Sequence, residues 1–159
     1  MTALEDQVIF KKALNQVLRY LTYRARSRKE VVDYLKKKGY SAVLIEKTVK
    51  KIEEFGYIDD DKFTREFINY RKSKGQGINR VRYELKQKGI DRYLLEEKIE
   101  EMFDYEEDLA RAKELLDRRR NTTGREEDRE SSFSKEVSFL KRRGFQDGVI
   151  LDAVKYKNY

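Results

Sequence analysis

Three short strings recur along the chain, and they constrain its fold more than any other feature: Lys37-Lys38-Gly39-Tyr40, Gln87-Lys88-Gly89-Ile90 and Arg142-Arg143-Gly144-Phe145. The first two glycines are 50 residues apart and the last two 55. A leucine stands four residues before each one: Leu35, Leu85 and Leu140. Five and six residues after it come Leu44-Ile45, Leu94-Leu95 and Val149-Ile150; ten after it come Val49, Ile99 and Val154. Val31, Val81 and Val137 fill a similar upstream slot, the last displaced by one. Matched offsets of this number mark an internal repeat with a period near 50 residues.

Each copy reads as three helices. The residues before the glycine make a cationic helix with an apolar stripe, as in Val31, Val32 and Leu35. The glycine stops that helix, because a left-handed C′ residue suits glycine best. Ser41, Asp91 and Gln146 or Asp147 then stand where the next helix needs an N-cap. The helix that follows shows one apolar face, Leu44, Ile45, Val49 and Ile52 in the first copy and Leu94, Leu95, Ile99 and Met102 in the second. A leading helix precedes each pair: Leu14, Val17, Leu18 and Leu21; then Phe63, Phe67, Ile68 and Tyr70; then Leu109, Ala112, Leu115 and Leu116. The absence of proline agrees with long uninterrupted helices, since average usage would give about eight. The expected fold is all-α, an elongated array of three tandem three-helix repeats. Their boundaries are 1–58 with an N-terminal lead-in, 59–104, and 105–159 with a charged, mobile loop at about 121–134. Single modules of this size are marginal, and stacking shares their cores.

The residue inventory removes whole classes of function. With no Cys there is no disulfide, thiolate nucleophile or Cys zinc site; with no His there is no imidazole base and no histidine metal ligand. The chain is therefore expected not to be an enzyme and to need no cofactor or metal. Gly75-Gln76-Gly77 lacks the strand and the Gly-Lys-Ser/Thr of a phosphate loop and reads as an interhelix turn. The run Asp59-Asp60-Asp61 lacks the alternate spacing of a hard-cation loop and reads as a helix cap. No stretch approaches the ~18 apolar residues of a membrane span, and Met1 to Phe10 lacks the pattern of a secretory signal. A cytoplasmic monomer with no membrane partner is the expectation.

Charge is the remaining signal. Charged residues are 42% of the chain, and 37 Lys+Arg against 30 Asp+Glu leave a net +7. The bases are concentrated. Lys11 to Lys38 has a net +8 and Arg71 to Arg92 a net +6, whereas Tyr93 to Ala110 has a net −7. Segregated blocks of this kind can steer charged partners, although a charged helix face is often merely solvated. The candidate partner or nucleic-acid face is Arg24, Arg26, Arg28, Lys36 and Lys37 in the first repeat. In the second it is Arg71, Lys72, Lys74, Arg80, Arg82, Lys86 and Lys88. Arg82 and Lys86 are expected to be exposed, with Val81 and Leu85 buried behind them. Tyr20, Tyr23, Tyr34, Tyr70 and Tyr83 interleave with these bases, and they either stack on nucleobases or complete helix packing.

A family resemblance now attaches to particular residues. Gly56-Tyr57-Ile58-Asp59-Asp60, Phe63, Arg71, Lys74-Gly75, Gly77, Glu84-Leu85 and Lys88-Gly89-Ile90 resemble the central module of RecX. Arg26-Ser27-Arg28-Lys29-Glu30, Leu35 and Lys38-Gly39-Tyr40 fit its first module, and Arg143-Gly144-Phe145 fits the third more loosely. The resemblance covers roughly residues 13 to 156. It implies a non-catalytic regulator that binds filaments of the RecA recombinase and modulates, by inhibition, ATPase and strand exchange in DNA repair and recombination. It also implies possible contact with single- or double-stranded DNA. The alternative is a helical-repeat protein whose target is DNA or RNA itself.

Overall fold

The structure is a computed structural model and describes residues 2–123 and 129–156. Among the described residues it is wholly helical, with nine helices: α1 (Ala3–Leu21), α2 (Arg28–Lys37), α3 (Ala42–Glu54), α4 (Asp60–Ser73), α5 (Ile78–Gln87), α6 (Arg92–Met102), α7 (Tyr105–Thr123), α8 (Arg129–Arg142) and α9 (Asp147–Lys155). The second helix of each expected triplet ends at the expected glycine. Gly39, Gly89 and Gly144 have φ of 84°, 72° and 87°. At α2 the Gly39 and Tyr40 N–H groups donate to the carbonyls of Lys36 and Leu35, and at α8 Gly144 and Phe145 donate to Lys141 and Leu140. This paired C-terminal motif satisfies carbonyls the helix leaves open.

N-termini are capped by side chains. Thr2 and Ser27 each form a reciprocal box, with Glu5 and Glu30 respectively, and Ser41 accepts from the Leu44 N–H. Asp59 Oδ1 accepts from the Lys62 N–H at the start of α4. Asp60 does something else: its Oδ1 accepts from the Arg28 N–H at 2.9 Å, so it caps α2. Burial raises the Asp60 carboxyl above its ordinary value, against the pull of that N–H. Gln146 occupies the N-cap of α9 without a side-chain hydrogen bond.

The chain divides into two compact units, residues 1–64 with 86–91, and residues 65–85 with 92–159. The first has a core of Ala13, Val17, Val31, Leu35, Ile45, Val49, Ile52 and Ile58. In the second, Ala112, Leu116, Leu140, Val149, Ile150, Ala153 and Val154 of α7, α8 and α9 cluster with Phe145 from the α8–α9 connection. Ile68, Val81 and Leu95 are also fully buried. Tyr70, placed with the apolar stripe of α4 by its spacing, is exposed instead. The long loop expected at 121–134 is helix at both ends, to Thr123 and again from Arg129; residues 124–128 lie outside the described part.

Each unit contains a close approach that repeat spacing did not reveal. In the first, the Ser27 hydroxyl donates 2.7 Å to the Lys88 carbonyl. In the second, Gly77, 50 residues after Ser27, donates its N–H at 2.8 Å to the carbonyl of Arg143, 55 residues after Lys88, and Asn79 N–H donates to the Gly144 carbonyl at 2.9 Å. A helix start thus receives the carbonyls that end another helix, satisfying donors and acceptors left over by both.

Candidate partner-binding face

The basic residues singled out in the sequence fall into two groups once their neighbours are known. In the first unit, α2 is capped by a buried Ser27, and its box partner Glu30 gathers two further side-chain donors beside the Ser27 N–H. Arg24 Nη2 and Lys88 Nζ each reach Glu30 Oε1 at 2.7 Å, and the Ser27 N–H reaches Oε2 at 3.0 Å. Burial alone would raise the Glu30 carboxyl; the hydrogen bonds from Arg24, Lys88 and the Ser27 backbone outweigh it and hold the group at about 2. Arg28 pairs with Glu46 at 2.9 Å and Glu53 at 3.0 Å. The Arg26 guanidinium lies 4.0 Å from the Tyr20 ring centre, and Tyr20 stacks on Tyr34 with centroids 4.2 Å apart. Those two tyrosines complete packing, whereas Tyr23 is exposed.

The second unit shows the same economy. Arg71 and Arg80 converge on Glu84 at 2.8 and 3.2 Å. Lys72 donates to the Met102 carbonyl at 2.7 Å and pairs with Glu107 at 3.1 Å. Arg82 grips Glu96 with two nitrogens, at 3.0 and 3.1 Å, and only 27% of its side chain is exposed. The expectation of a freely exposed Arg82 is therefore corrected: α6 supplies it a carboxylate. The acidic block at Tyr93–Ala110 is largely counter-charge of this kind, since Glu101 pairs with Arg65 and Asp108 with Arg111. A fully buried Asp108 explains its raised carboxyl, burial outweighing Arg111.

Five of the twelve candidates have no carboxylate partner among the described residues: Arg26, stacked on Tyr20; Lys36, Lys37 and Lys86, exposed in the first unit; and Lys74, 5.5 Å over the Tyr70 ring in the second. Long lysine stems with no partner leave the ammonium in water and available. Among the described residues there is no cluster of acids able to hold a metal ion, and no helix is long and apolar enough to cross a membrane.

Comparison with known proteins meets this geometry at the level of domains. The RecX first three-helix domain matches residues 13–51, the span of most of α1 with α2 and α3, and the RecX second three-helix domain matches 59–99, covering α4, α5 and most of α6. Together they account for half of the chain. "Regulatory protein RecX" of Geobacillus sp. strain WCH70 is 32% identical over 88% of this chain and 51% of its own length. That of Bacillus subtilis strain 168 is 30% identical over 93% and 57%. The chain thus spans a little over half the length of these relatives. The crystal structure of RecX from Lactobacillus salivarius superposes with a TM-score of 0.83 over 98% of each chain, at 20% identity, so it speaks for the fold. With both domain matches falling on successive helix triplets that share the same glycine stop, the chain belongs to the RecX family.

Proposed function

We propose that the chain is a non-catalytic regulator that binds the filament of the RecA recombinase and restrains its ATPase and strand exchange. The observation that carries this reading is the spare charge of the first unit. Most of the basic face is neutralised internally, while Lys36, Lys37 and Lys86 remain exposed without a carboxylate. A filament wound on single-stranded DNA carries phosphates that such lysines can meet, and the relatives' name as regulatory proteins agrees with binding rather than chemistry. The reading needs no cofactor. Nucleic acid alone is the competing target, and exposed Tyr23 among the bases of the first unit favours it. Binding to labelled single-stranded DNA, measured with and without RecA and ATP, separates the two. Tight association that requires RecA and ATP is expected; equal affinity for bare DNA assigns the chain to the second class.

A further inference from the structure

The second unit holds a groove of about 680 Å³ between the end of α4, α7 and α8. That volume lies within the range of small-ligand sites. Its lining is cationic: Lys72, Lys74, Arg111, Arg118, Arg119 and Arg143 face a single carboxylate, Glu114. Three of these bases have carboxylate partners, Lys72 with Glu107, Arg111 with Asp108 and Arg118 with Glu114. Lys74 and Arg143 have none among the described residues. Arg143 Nη1 donates to the Lys74 backbone carbonyl at 3.1 Å, and the Lys74 ammonium lies 5.5 Å over the Tyr70 ring. Phe139 organises the wall: the guanidinium carbons of Arg119 and Arg143 each lie 4.9 Å from its ring centre.

One role of these arginines is internal. Arg111 donates to the carbonyls of Lys72 and Gln76, so with Arg143 it closes the C-terminal end of α4. That role occupies one N–H of the five that Arg143 carries. It leaves the Arg143 guanidinium and the Lys74 ammonium without carboxylates on the lining of one concave, partly apolar site, where charge is less screened than in open water. An anion with at least two charges would offset both. Guanidinium forks match tetrahedral phosphate oxygens bidentately, and a lysine adds a point charge beside them. We propose that this groove binds a phosphate-bearing ligand, either a free di- or triphosphate or two consecutive phosphodiesters of a nucleic-acid strand. The proposal is tested without RecA, so its outcome does not depend on the reading of the chain as a RecA regulator.

The experiment is calorimetric titration of the full chain, at physiological salt and without divalent cations, with inorganic pyrophosphate, a short oligothymidylate and hexaglutamate. Lys74→Glu is the main variant because Lys74 is exposed and its substitution spares the cap of α4. Arg143→Gln is the second, with circular dichroism as a check on its fold, and Lys50→Glu on α3 is the control. The expected result is binding of pyrophosphate, oligothymidylate or both, weakened about tenfold or more by Lys74→Glu and unchanged by Lys50→Glu. Pyrophosphate alone identifies a free ligand, and oligothymidylate alone a strand. The proposal is overturned if neither phosphate binds, if Lys74→Glu binds as the parent does, or if hexaglutamate binds as tightly as the phosphates, which assigns the groove to an acidic peptide.

Discussion

Gly39 and Gly144 hold nearly the same left-handed φ, 84° and 87°, at equivalent places in the repeat. Their surroundings differ. A Cβ on Gly39 would meet nothing within 4 Å, whereas one on Gly144 would lie 2.4 Å from the Arg80 backbone nitrogen and 2.3 Å from its Cβ. Alanine at 39 therefore costs only the backbone strain, about 1–2 kcal/mol. Alanine at 144 adds displacement of α5's first turn, a further ~1–3 kcal/mol. Chemical denaturation of the two variants is expected to show that order; equal losses would mean that the approach at Gly144 yields freely. Gly89 is intermediate, since its Cβ would meet the Lys29 side chain, and Gly89→Val is expected to lose at least ~1 kcal/mol. The sequence made the glycine stops readable because φ > 0 has a residue signature. The close approaches were not readable, because nothing in Arg80 or Lys29 announces what packs on it.

At the scale of an element, α2 shows how a short helix is held. Its first turn has the Ser27–Glu30 box, the Asp60 carboxylate on the Arg28 N–H, and the Arg24 and Lys88 cations on Glu30. The box was legible as Ser27-Arg28-Lys29-Glu30; the other three partners come from elsewhere in the chain. Because Glu30 is held at about 2, below the ordinary value of 4.5, its charge stabilises the fold fully above that ordinary value. The contribution fades as pH falls through 4.5 toward 2. Thermal unfolding of the parent and of Glu30→Gln is thus expected to differ most at neutral pH, with the gap closing between about pH 5 and pH 2. A gap independent of pH would assign the effect to shape rather than charge. The α4 stripe is less legible: spacing alone puts Tyr70 on its apolar face, whereas the ring is exposed and serves Lys74 and Arg71.

For the whole molecule, the charge blocks of the sequence mark where cations and acids concentrate, but not that they pair with each other. Arg82 with Glu96 and Arg65 with Glu101 are separated by 14 and 36 residues, distances at which helix periodicity is silent. Family and helical class were legible because glycine, leucine and cap positions repeat; the free part of the basic face was not, because exposure depends on packing. The charged surface still argues for a monomer, and sedimentation at micromolar concentration is expected to show one; a tight dimer would refute it. The central claim is that Lys36, Lys37 and Lys86 engage the RecA filament. Its most direct test is co-sedimentation of the chain with RecA filaments assembled on single-stranded DNA with ATP, comparing the parent with Lys36→Glu/Lys37→Glu/Lys86→Glu across a salt series. The variant is expected to show unchanged thermal unfolding, binding about tenfold weaker or more at physiological salt, and a shallower salt dependence. A variant that binds the filament as the parent does, with the same salt dependence, would contradict it.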